Sequence, residues 1–434
     1  MKAASTVAAA WRAQGLIYGL MLIAFAAGFT KALERPPVAL FQPQAFAVPA
    51  MDAPTIQTRF VSSSPGPHRH SPSLVELSDG RIRAFWFSGS REGAPDVEIR
   101  SAVFDPRDDR WGAEQTVIDR ASTQRALLRY VKKLGNPVAE RAADGTLHLY
   151  YVTVSLGGWS GSSITTISSS DDGETWGPAR RLITSPFLNI STLVKGTPFH
   201  YADGTIGLPV YHELTGKFGE LLRLDAAGAV LDKQRLSDGR KSLQPVILIR
   251  DGERAQVLMR QVGGGPKRVI GTATEDAGRH WTSPVNTPLD NPNSAVSGVV
   301  LPGGSLLAVV NNIDWNRDAL SLVASSDGGA NWRTIYTLED QRASRERFLH
   351  PAGYADGVKA QALATDASLS DAAVFAESSA QHMCFGQYCS FEFSYPYLIL
   401  TSRGDAQLVY TWNRSFIKHV EFSRAWIEQH LKEY

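Results

Sequence analysis

The stretch Ser169-Ser170-Asp171-Asp172-Gly173-Glu174-Thr175-Trp176 decides the fold, because its pattern Ser/Thr-x-Asp-x-Gly-x-x-Trp recurs along the chain. The pattern predicts a β-hairpin turn in which the Asp side chain caps backbone N–H groups two residues on, Gly takes a positive φ and Trp packs under the turn. Residues 274–281 and 325–332 fit the same pattern. A degraded copy at 104–111 keeps Asp108 and Trp111 but has Pro106 in place of the first Asp.

The spacing of these turns indicates a repeat architecture. Their tryptophans stand at 111, 176, 281 and 332, so the gaps are about 65, 105 and 51 residues. The middle gap fits two units with a silent copy between them. A repeat of roughly 50–65 residues built from short strands is typical of a β-propeller, and about six blades then fit between residue 55 and the end.

The repeated turns resemble the Asp boxes of the sialidase (neuraminidase) superfamily, and more closely those of its BNR-repeat, exo-α-sialidase-like branch. The resemblance implies an all-β, six-bladed propeller. Asp boxes also occur in propellers with other functions, where they lie on the outer rim, so they imply the fold and not the activity.

A second set of turns gives the blade number independently. Six strand–turn–strand units carry a Gly-containing turn between two apolar runs. These turns are Asp79-Gly80, Asp144-Gly145, Asp203-Gly204, Asp251-Gly252, Gly303-Gly304 and Gly404-Asp405.

Composition limits the function. The chain has 434 residues and a net charge of +1, which gives no indication of a nucleic-acid partner. Its two cysteines, Cys384 and Cys389, allow a small disulfide loop in an exported protein and are too few for a zinc site. His68 and His70 share one strand face, but two ligands do not make a metal site. We therefore expect neither a metal nor a cofactor.

The chain divides into three parts. Residues 1–33 hold an apolar run behind Lys2 and Arg12, which predicts a signal-anchor in the inner membrane, or a cleaved signal peptide, with the rest periplasmic or extracellular. Residues 34–56 are rich in proline and predict a stiff tether. Residues 57–434 form the propeller, with an insertion at about 339–391 that is either a partly helical lid or a disordered loop. Residues 422–431 predict a short amphipathic helix.

The resemblance also implies a site for an acidic sugar. In the superfamily an arginine cluster binds the substrate carboxylate, and a Tyr acts as nucleophile in place of the usual carboxylate. By the family spacing, Arg260 and Arg317 are two of the arginines. His70 occupies the position of the third, while Arg69 is one residue out of register and so points to the other strand face. A His that titrates near neutral pH can still bind an acidic sugar or act as a base.

The remaining roles follow from the same resemblance. Asp96, five residues after Arg91, is the acid/base candidate, with Glu92 in reserve; the alternative is that Asp96 caps a turn. Tyr395 is the candidate nucleophile, and the alternative is an aromatic at a blade seam. Gln244 stands where the family has the Glu that activates the Tyr, and a neutral amide is a poor base. Glu213 is a candidate replacement.

These residues predict an exported sialidase-like glycoside hydrolase acting on a terminal acidic sugar of a glycan or polysaccharide. Two alternatives stay open, because His70 and Gln244 depart from the family pattern. One is a non-catalytic carbohydrate-binding propeller of an envelope polysaccharide system. The other is a polysaccharide lyase on the same fold, with His70 or Tyr395 as base.

Overall fold

Six antiparallel sheets follow one another along the chain and form the blades of a β-propeller, which confirms the predicted fold class. The computed structural model describes residues 2–33, 37–47, 53–62, 64, 66–185, 188–236, 241–345, 349–367, 369 and 371–432. The first strands of neighbouring blades contact each other, so these strands line the central channel. Buried apolar side chains fill the space between adjacent sheets.

The elements follow the chain in order. Before the first blade lie α1 (Lys2–Leu33), β1 (Phe41–Gln42) and β2 (Ile56–Phe60). Blade one contains β3 (His68–Glu76), β4 (Ile82–Gly89), β5 (Glu98–Asp105), β6 (Arg110–Trp111) and β7 (Gln115–Ile118). After α2 (Arg120–Leu127), blade two contains β8 (Lys133–Arg141), β9 (Leu147–Val154), a 3₁₀ turn (Trp159–Gly161), β10 (Ser162–Ser169) and β11 (Arg180–Arg181).

The next three blades are regular. Blade three contains β12 (Leu193–Val194), β13 (Phe199–Tyr201), β14 (Ile206–His212), β15 (Phe218–Leu224) and β16 (Val230–Arg235). Blade four contains β17 (Ser242–Ile249), β18 (Ala255–Gln261), β19 (Arg268–Thr274) and β20 (Val285–Asp290). Blade five contains β21 (Ser297–Val300), β22 (Leu306–Val310), β23 (Ala319–Ser325) and β24 (Arg333–Asp340).

An insertion separates blade five from blade six. It contains α3 (Arg342–Arg345), α4 (Pro351–Thr365), α5 (Ala372–Met383), β25 (Cys384–Phe385) and β26 (Tyr388–Cys389). Blade six contains β27 (Phe393–Leu400), β28 (Ala406–Trp412) and β29 (Phe416–Phe422), and α6 (Arg424–Lys432) follows it.

The six predicted Gly-containing turns all join the first long strand of a blade to the second. In blade one Leu77 N donates to Arg81 O at 2.7 Å and Gly80 N donates to Leu77 O at 3.1 Å, with Gly80 at φ 83°. Blades two, three, five and six repeat this pair of hydrogen bonds, and blade four keeps the first of them. A side chain other than glycine's is strained at this φ, which explains why the turns are readable in the sequence.

The three Asp-x-Gly-x-x-Trp turns share one hydrogen-bond pattern. At the first, Ser169 Oγ accepts from Gly173 N at 2.8 Å and Asp171 Oδ1 accepts from Thr175 N at 2.9 Å. The turns at 274–281 and 325–332 make the same two bonds. The prediction that the Asp caps an N–H two residues on is therefore wrong. The N–H two residues on belongs to Gly and donates to the Ser or Thr hydroxyl, and the Asp carboxylate accepts from the N–H four residues on.

Blade three contains the silent copy that the tryptophan spacing predicts. The turn between β15 and β16 keeps Asp225, whose Oδ1 accepts from Ala229 N at 2.8 Å, also four residues on. This turn has no Trp, so the long gap between Trp176 and Trp281 spans one blade without a tryptophan signal.

The propeller is closed by strands from both ends of the chain. β2 pairs with β29 from Ile56 opposite Phe422 to Phe60 opposite Lys418, so a strand that precedes blade one is the outer strand of blade six. Phe60 also contacts the ring of Trp412, at 5.3 Å between centroids. Closure therefore depends on pairing between residues more than 350 positions apart.

Residues 37–47, the N-terminal strap, lie on the face that carries the Gly-containing turns. Phe41 is 2% exposed, pairs with Tyr201 and donates its N–H to Gly252 O at 2.8 Å. Farther along, Ala47 N donates to Ser402 O at 2.8 Å. This part of the predicted 34–56 tether is thus bound to blades three, four and six. Residues 34–36 and 48–52 lie outside the described residues.

The described parts of the insertion are helical and packed, in agreement with the helical alternative and not with a disordered loop. Tyr354 on α4 and Phe375 on α5 are buried, and the Phe375 ring stacks on Phe416 at 4.1 Å. A disulfide joins Cys384 to Cys389 across the β25–β26 hairpin. The insertion therefore extends the core of blade six outward.

The two terminal helices differ in their surroundings. In α1 the window Ala13–Thr30 has a mean hydropathy of 1.6 and no residue buried against the propeller, which is compatible with a signal or an anchor. The predicted C-terminal helix is present as α6, which buries Ala425, Trp426 and Ile427.

Candidate functional site

One left-handed residue in or just before the first strand of each blade shapes the mouth of the channel. These six residues have φ between 40° and 62° although none is glycine. The register of β3, β8, β17 and β27 breaks at this point. Such positions are strained by roughly 1–3 kcal/mol each and cluster at functional sites. They are Ser71, Asn136, Ser191, Gln244, Asn293 and Tyr395.

These six residues are here called the mouth residues. Four of them precede a proline. Proline fixes its own φ and disfavours a helical conformation in the residue before it. The dipeptides are Ser71-Pro72, Asn136-Pro137, Gln244-Pro245 and Tyr395-Pro396.

A cleft of about 200 Å³ opens among the mouth residues. It holds polar, charged and aromatic side chains from all six blades. Its lining residues are Glu92, Asn136, Trp159, Tyr211, Glu213, Lys217, Leu243, Gln244, Arg260, Val262, Asn293 and Tyr395.

The structure brings the predicted Tyr395, Gln244 and Arg260 together. Gln244 Nε2 and Arg260 Nη1 each lie 3.4 Å from Tyr395 Oη, and Arg260 Nη1 donates to Gln244 Oε1 at 3.2 Å. Gln244 thus stands next to the candidate nucleophile, where the family resemblance places the activating residue.

A second group of charges lies beside this triangle. Arg260 Nε donates to Asn293 Oδ1 at 2.7 Å, and Arg317 Nη2 donates to Asn293 O at 2.8 Å, so Asn293 fixes both predicted arginines. Glu392 accepts from Arg317 Nη1 at 3.3 Å and from Arg414 Nε at 2.9 Å. Burial raises the pKa of Glu392, but the two arginines outweigh it and hold this pKa below its ordinary value.

Arg414 is a charge at the mouth that the sequence prediction missed. It follows β28 with φ 54°, and Asn413 before it has φ 49°. Its charge lowers the pKa of both His70 and Glu392, so it lies within electrostatic range of these two side chains. Two consecutive residues of positive φ turn the side chain toward the channel, and the sequence around 410–414 gives no signal of this turn.

His70 lies behind Tyr395 and does not line the cleft. Its ring is 2% exposed and its centroid is 4.3 Å from that of Tyr395. Burial, and then the charges of His68, Arg414, Arg317 and Lys195, lower the pKa of His70 well below its ordinary value. The imidazole is therefore neutral at pH 7, and it cannot act as the titrating cation that the sequence analysis allowed.

The loop after β4 places its two carboxylates differently. Asp96 is exposed, and its oxygens accept from Ser90 N at 2.9 Å and Ser90 Oγ at 3.0 Å, which matches the turn-capping alternative. Glu92 lines the cleft, while Arg91 is exposed and lies outside the lining. The five-residue spacing alone cannot decide which carboxylate faces inward.

Glu213 lines the cleft as predicted for a candidate base. Its backbone N–H donates to Ser191 Oγ at 2.9 Å, so a mouth residue fixes its position. On the same side Asn136 Nδ2 donates to Tyr211 Oη at 3.0 Å. Glu213 and Glu92 are the two carboxylates of the cleft lining.

A family profile described as a BNR repeat-like domain matches residues 80–408. The chain belongs to this family. No curated protein matches its sequence.

Solved structures of sialidases share the fold. A Hadza microbial sialidase superposes with a TM-score of 0.60 at 14% identity, over 82% of this chain and 66% of its own length. The NanB sialidase from Streptococcus pneumoniae gives 0.57 at 9% identity, over 87% of this chain and 70% of its own. At such identities the likeness shows the fold alone, a sialidase-like BNR-repeat propeller.

A protein of unknown function from Dyadobacter fermentans is nearly coextensive with this propeller. It gives a TM-score of 0.58 at 12% identity, over 85% of this chain and 98% of its own. The fold therefore occurs at this size without the additional length of the two sialidases.

Proposed function

We propose that the protein is an exported, membrane-anchored sialidase-like glycoside hydrolase that removes a terminal acidic sugar. The observation that carries the proposal is the meeting of Tyr395, Gln244 and Arg260 in one cleft, beside the pair Arg317 and Arg414. The guanidinium groups supply bidentate donors for a sugar carboxylate. The apolar helix α1, with Lys2 and Arg12 on its N-terminal side, supports the anchor.

The proposed reaction uses groups at the mouth. Tyr395 Oη loses its proton to solvent and attacks the anomeric carbon, the bond to the leaving oxygen breaks, and Glu92 donates its proton to that oxygen. Water then attacks the same carbon, Glu92 takes the water proton, and the bond to Tyr395 breaks. We place Glu92 in this role because it lines the cleft, whereas the Asp96 carboxylate is held by Ser90.

A fluorogenic sialoside, followed by a panel of acidic oligosaccharides, tests the proposal on residues 37–434. We expect Tyr395→Phe and Glu92→Gln to abolish turnover and Asp96→Asn to retain it. If Asp96→Asn is inactive and Glu92→Gln is active, the acid is Asp96 and the loop moves when substrate binds.

The second candidate is a carbohydrate-binding propeller without catalysis. The neutral Gln244 beside Tyr395 Oη favours it, because no carboxylate among the described residues hydrogen-bonds to that hydroxyl. Measurable binding of an acidic glycan, together with no turnover of any tested glycan, would establish this candidate and reject the hydrolase.

A further inference from the structure

The hydroxyl of Tyr395 is surrounded by hydrogen-bond donors. Its oxygen lies 3.4 Å from Arg260 Nη1 and 3.4 Å from Gln244 Nε2. The orientation of the Gln244 amide follows from chemistry, because its Oε1 accepts from Arg260 Nη1 at 3.2 Å. The flipped amide would set an NH₂ group against a guanidinium, and both are donors only. The amide nitrogen therefore faces Tyr395.

Among the residues that the structure describes, no carboxylate hydrogen-bonds to Tyr395 Oη. Glu92 and Glu213 line the same cleft, and neither makes this contact. A phenol that is activated by a base needs an acceptor within hydrogen-bond reach of its proton. Here the immediate neighbours, Gln244 and Arg260, are donors. They stabilise a deprotonated Tyr395 oxygen but cannot accept its proton.

A buried lysine lies under the ring of Tyr395. Lys195 follows β12 in blade three, is 3% exposed and donates from Nζ to Pro72 O at 2.8 Å in blade one. Its Nζ lies 5.5 Å from the ring centroid of Tyr395 and 5.0 Å from that of Tyr397. Lys195 therefore reaches from blade three to blade one and lies against two tyrosine rings of blade six.

Lys195 is paired with no acid in the described chain. The groups that face it are His70 on β3, which is neutral, and the two tyrosine rings on β27. Burial lowers the pKa of Lys195 to about 7, so the amine is about half protonated near neutral pH. A cation against the ring is attracted to the π-electrons of Tyr395 and so favours negative charge on this side chain.

We propose that Tyr395 attacks as a phenolate stabilised by Arg260, Gln244 and Lys195, without a carboxylate base. The proposal rests on the proposed function and concerns how its nucleophile is activated. The phenol proton leaves to solvent before attack. The phenolate oxygen then forms the bond to the anomeric carbon as the leaving oxygen takes its proton from Glu92, and hydrolysis of that bond returns the phenolate. Lys195 and Gln244 are positioning residues in this scheme.

The test measures the reactivity of Tyr395 directly. Tetranitromethane nitrates tyrosine through its phenolate, and peptide mapping by mass spectrometry gives the rate at each tyrosine. We expect Gln244→Glu to slow nitration of Tyr395 by about tenfold or more, because a carboxylate would replace a donor and compete for Arg260. Lys195→Met should slow it in the same direction. Tyr130 and Tyr388, 59% and 63% exposed, are internal standards whose rates should not change.

Gln256→Glu is the control for Gln244→Glu. It adds the same negative charge to the same blade, but on β18 at the end of the strand next to the turn, away from Tyr395. It should leave the Tyr395 rate unchanged. If Gln244→Glu accelerates nitration, a carboxylate activates Tyr395; if the rate is unchanged, Gln244 does not stabilise the phenolate. Either result overturns the proposal. The nitration rate does not require turnover, so a wild-type protein inactive on every glycan rejects the hydrolase while this test still reports on Tyr395.

Discussion

At the scale of single residues, Glu392 holds two of the mouth arginines in place. Its carboxylate is largely buried and contacts Arg317 and Arg414, which come from different blades. We expect Glu392→Gln to lower the free energy of unfolding by about 1–3 kcal/mol at neutral pH, because two half-buried guanidinium groups lose their counter-charge.

The pH dependence of this loss follows from the lowered pKa of Glu392. A depressed carboxyl pKa stabilises the native state above the unfolded value of 4.5 and ceases to do so as pH falls through the lower native value. Urea denaturation should therefore show a full difference between wild type and Glu392→Gln at neutral pH and little difference in strong acid. An equal difference in unfolding free energy at both pH values would mean that the substitution acts through packing and not through charge.

The lowered pKa of Lys195 makes native stability depend on pH through the opposite kind of group, a buried cation. Its pKa is about 7 in the native protein and 10.5 when unfolded, so between these values the unfolded chain binds more protons and native stability rises with pH. Below pH 7 the cost of burying the cation is complete. Relative to Lys195→Met, the wild type should gain about 2.7 kcal/mol between about pH 6 and about pH 9. Parallel stability curves for the two proteins would show that burial leaves the pKa of Lys195 at its unfolded value.

Sequence spacing located some site residues and missed others for a physical reason. Gln244 and Tyr395 sit directly before a proline, and the family spacing identifies them from local sequence. Arg414 reaches the site through a pair of left-handed residues. Lys195 reaches it from another blade, where it hydrogen-bonds to Pro72. No local sequence pattern encodes either approach. The choice between Glu92 and Asp96 depends on a loop whose path the spacing leaves open.

At the scale of elements, the Asp-x-Gly-x-x-Trp turns contribute to stability and lie away from the cleft. Asp276 accepts from Thr274 Oγ1 at 2.8 Å and from His280 N at 2.9 Å in the turn between β19 and β20. We expect Asp276→Ala to cost about 1–2 kcal/mol of unfolding free energy, comparable to loss of a helix cap.

Glu275→Ala is the control for this prediction, because Glu275 is the exposed acid next to Asp276. It removes the same charge and should change stability by less than about 0.5 kcal/mol. Thermal melts of both variants, with glycan binding as a second measurement, check the prediction. Weaker glycan binding in Asp276→Ala would contradict the separation of this turn from the site.

Elements with a repeated turn were predictable, and elements without one were not. Six Gly-containing turns indicated the blade number, because five of them hold a glycine at a positive φ. β1 is only two residues long and lies in a proline-rich stretch, so its pairing with Tyr201 depends on tertiary contacts alone. The helices α4 and α5 were left open because they are stabilised by packing on blade six.

At the scale of the whole molecule, the strap joins separate blades on the face opposite the mouth. A protein comprising residues 37–434 should be more stable than one comprising 55–434, by about 3 kcal/mol, because the shorter protein exposes the site of Phe41. Guanidinium denaturation of the two proteins measures this difference.

Phe41→Ala in the 37–434 protein should reproduce most of that loss, since the ring packs against Phe199 and Tyr201. Nitration of Tyr395 should be the same in all three proteins, because the strap and the cleft lie at opposite ends of the first strands. Equal stability of the long and short proteins would mean that the strap contributes nothing to the free energy of unfolding.

The six mouth residues have an evolutionary consequence. Each comes from a different blade and is held by its own local backbone, so a mutation at one of them alters the chemistry of the mouth and leaves the pairing of every sheet intact. A carboxylate can then replace an amide at a position such as Gln244 in a single step without loss of foldability. New specificities in such propellers should accumulate one blade at a time.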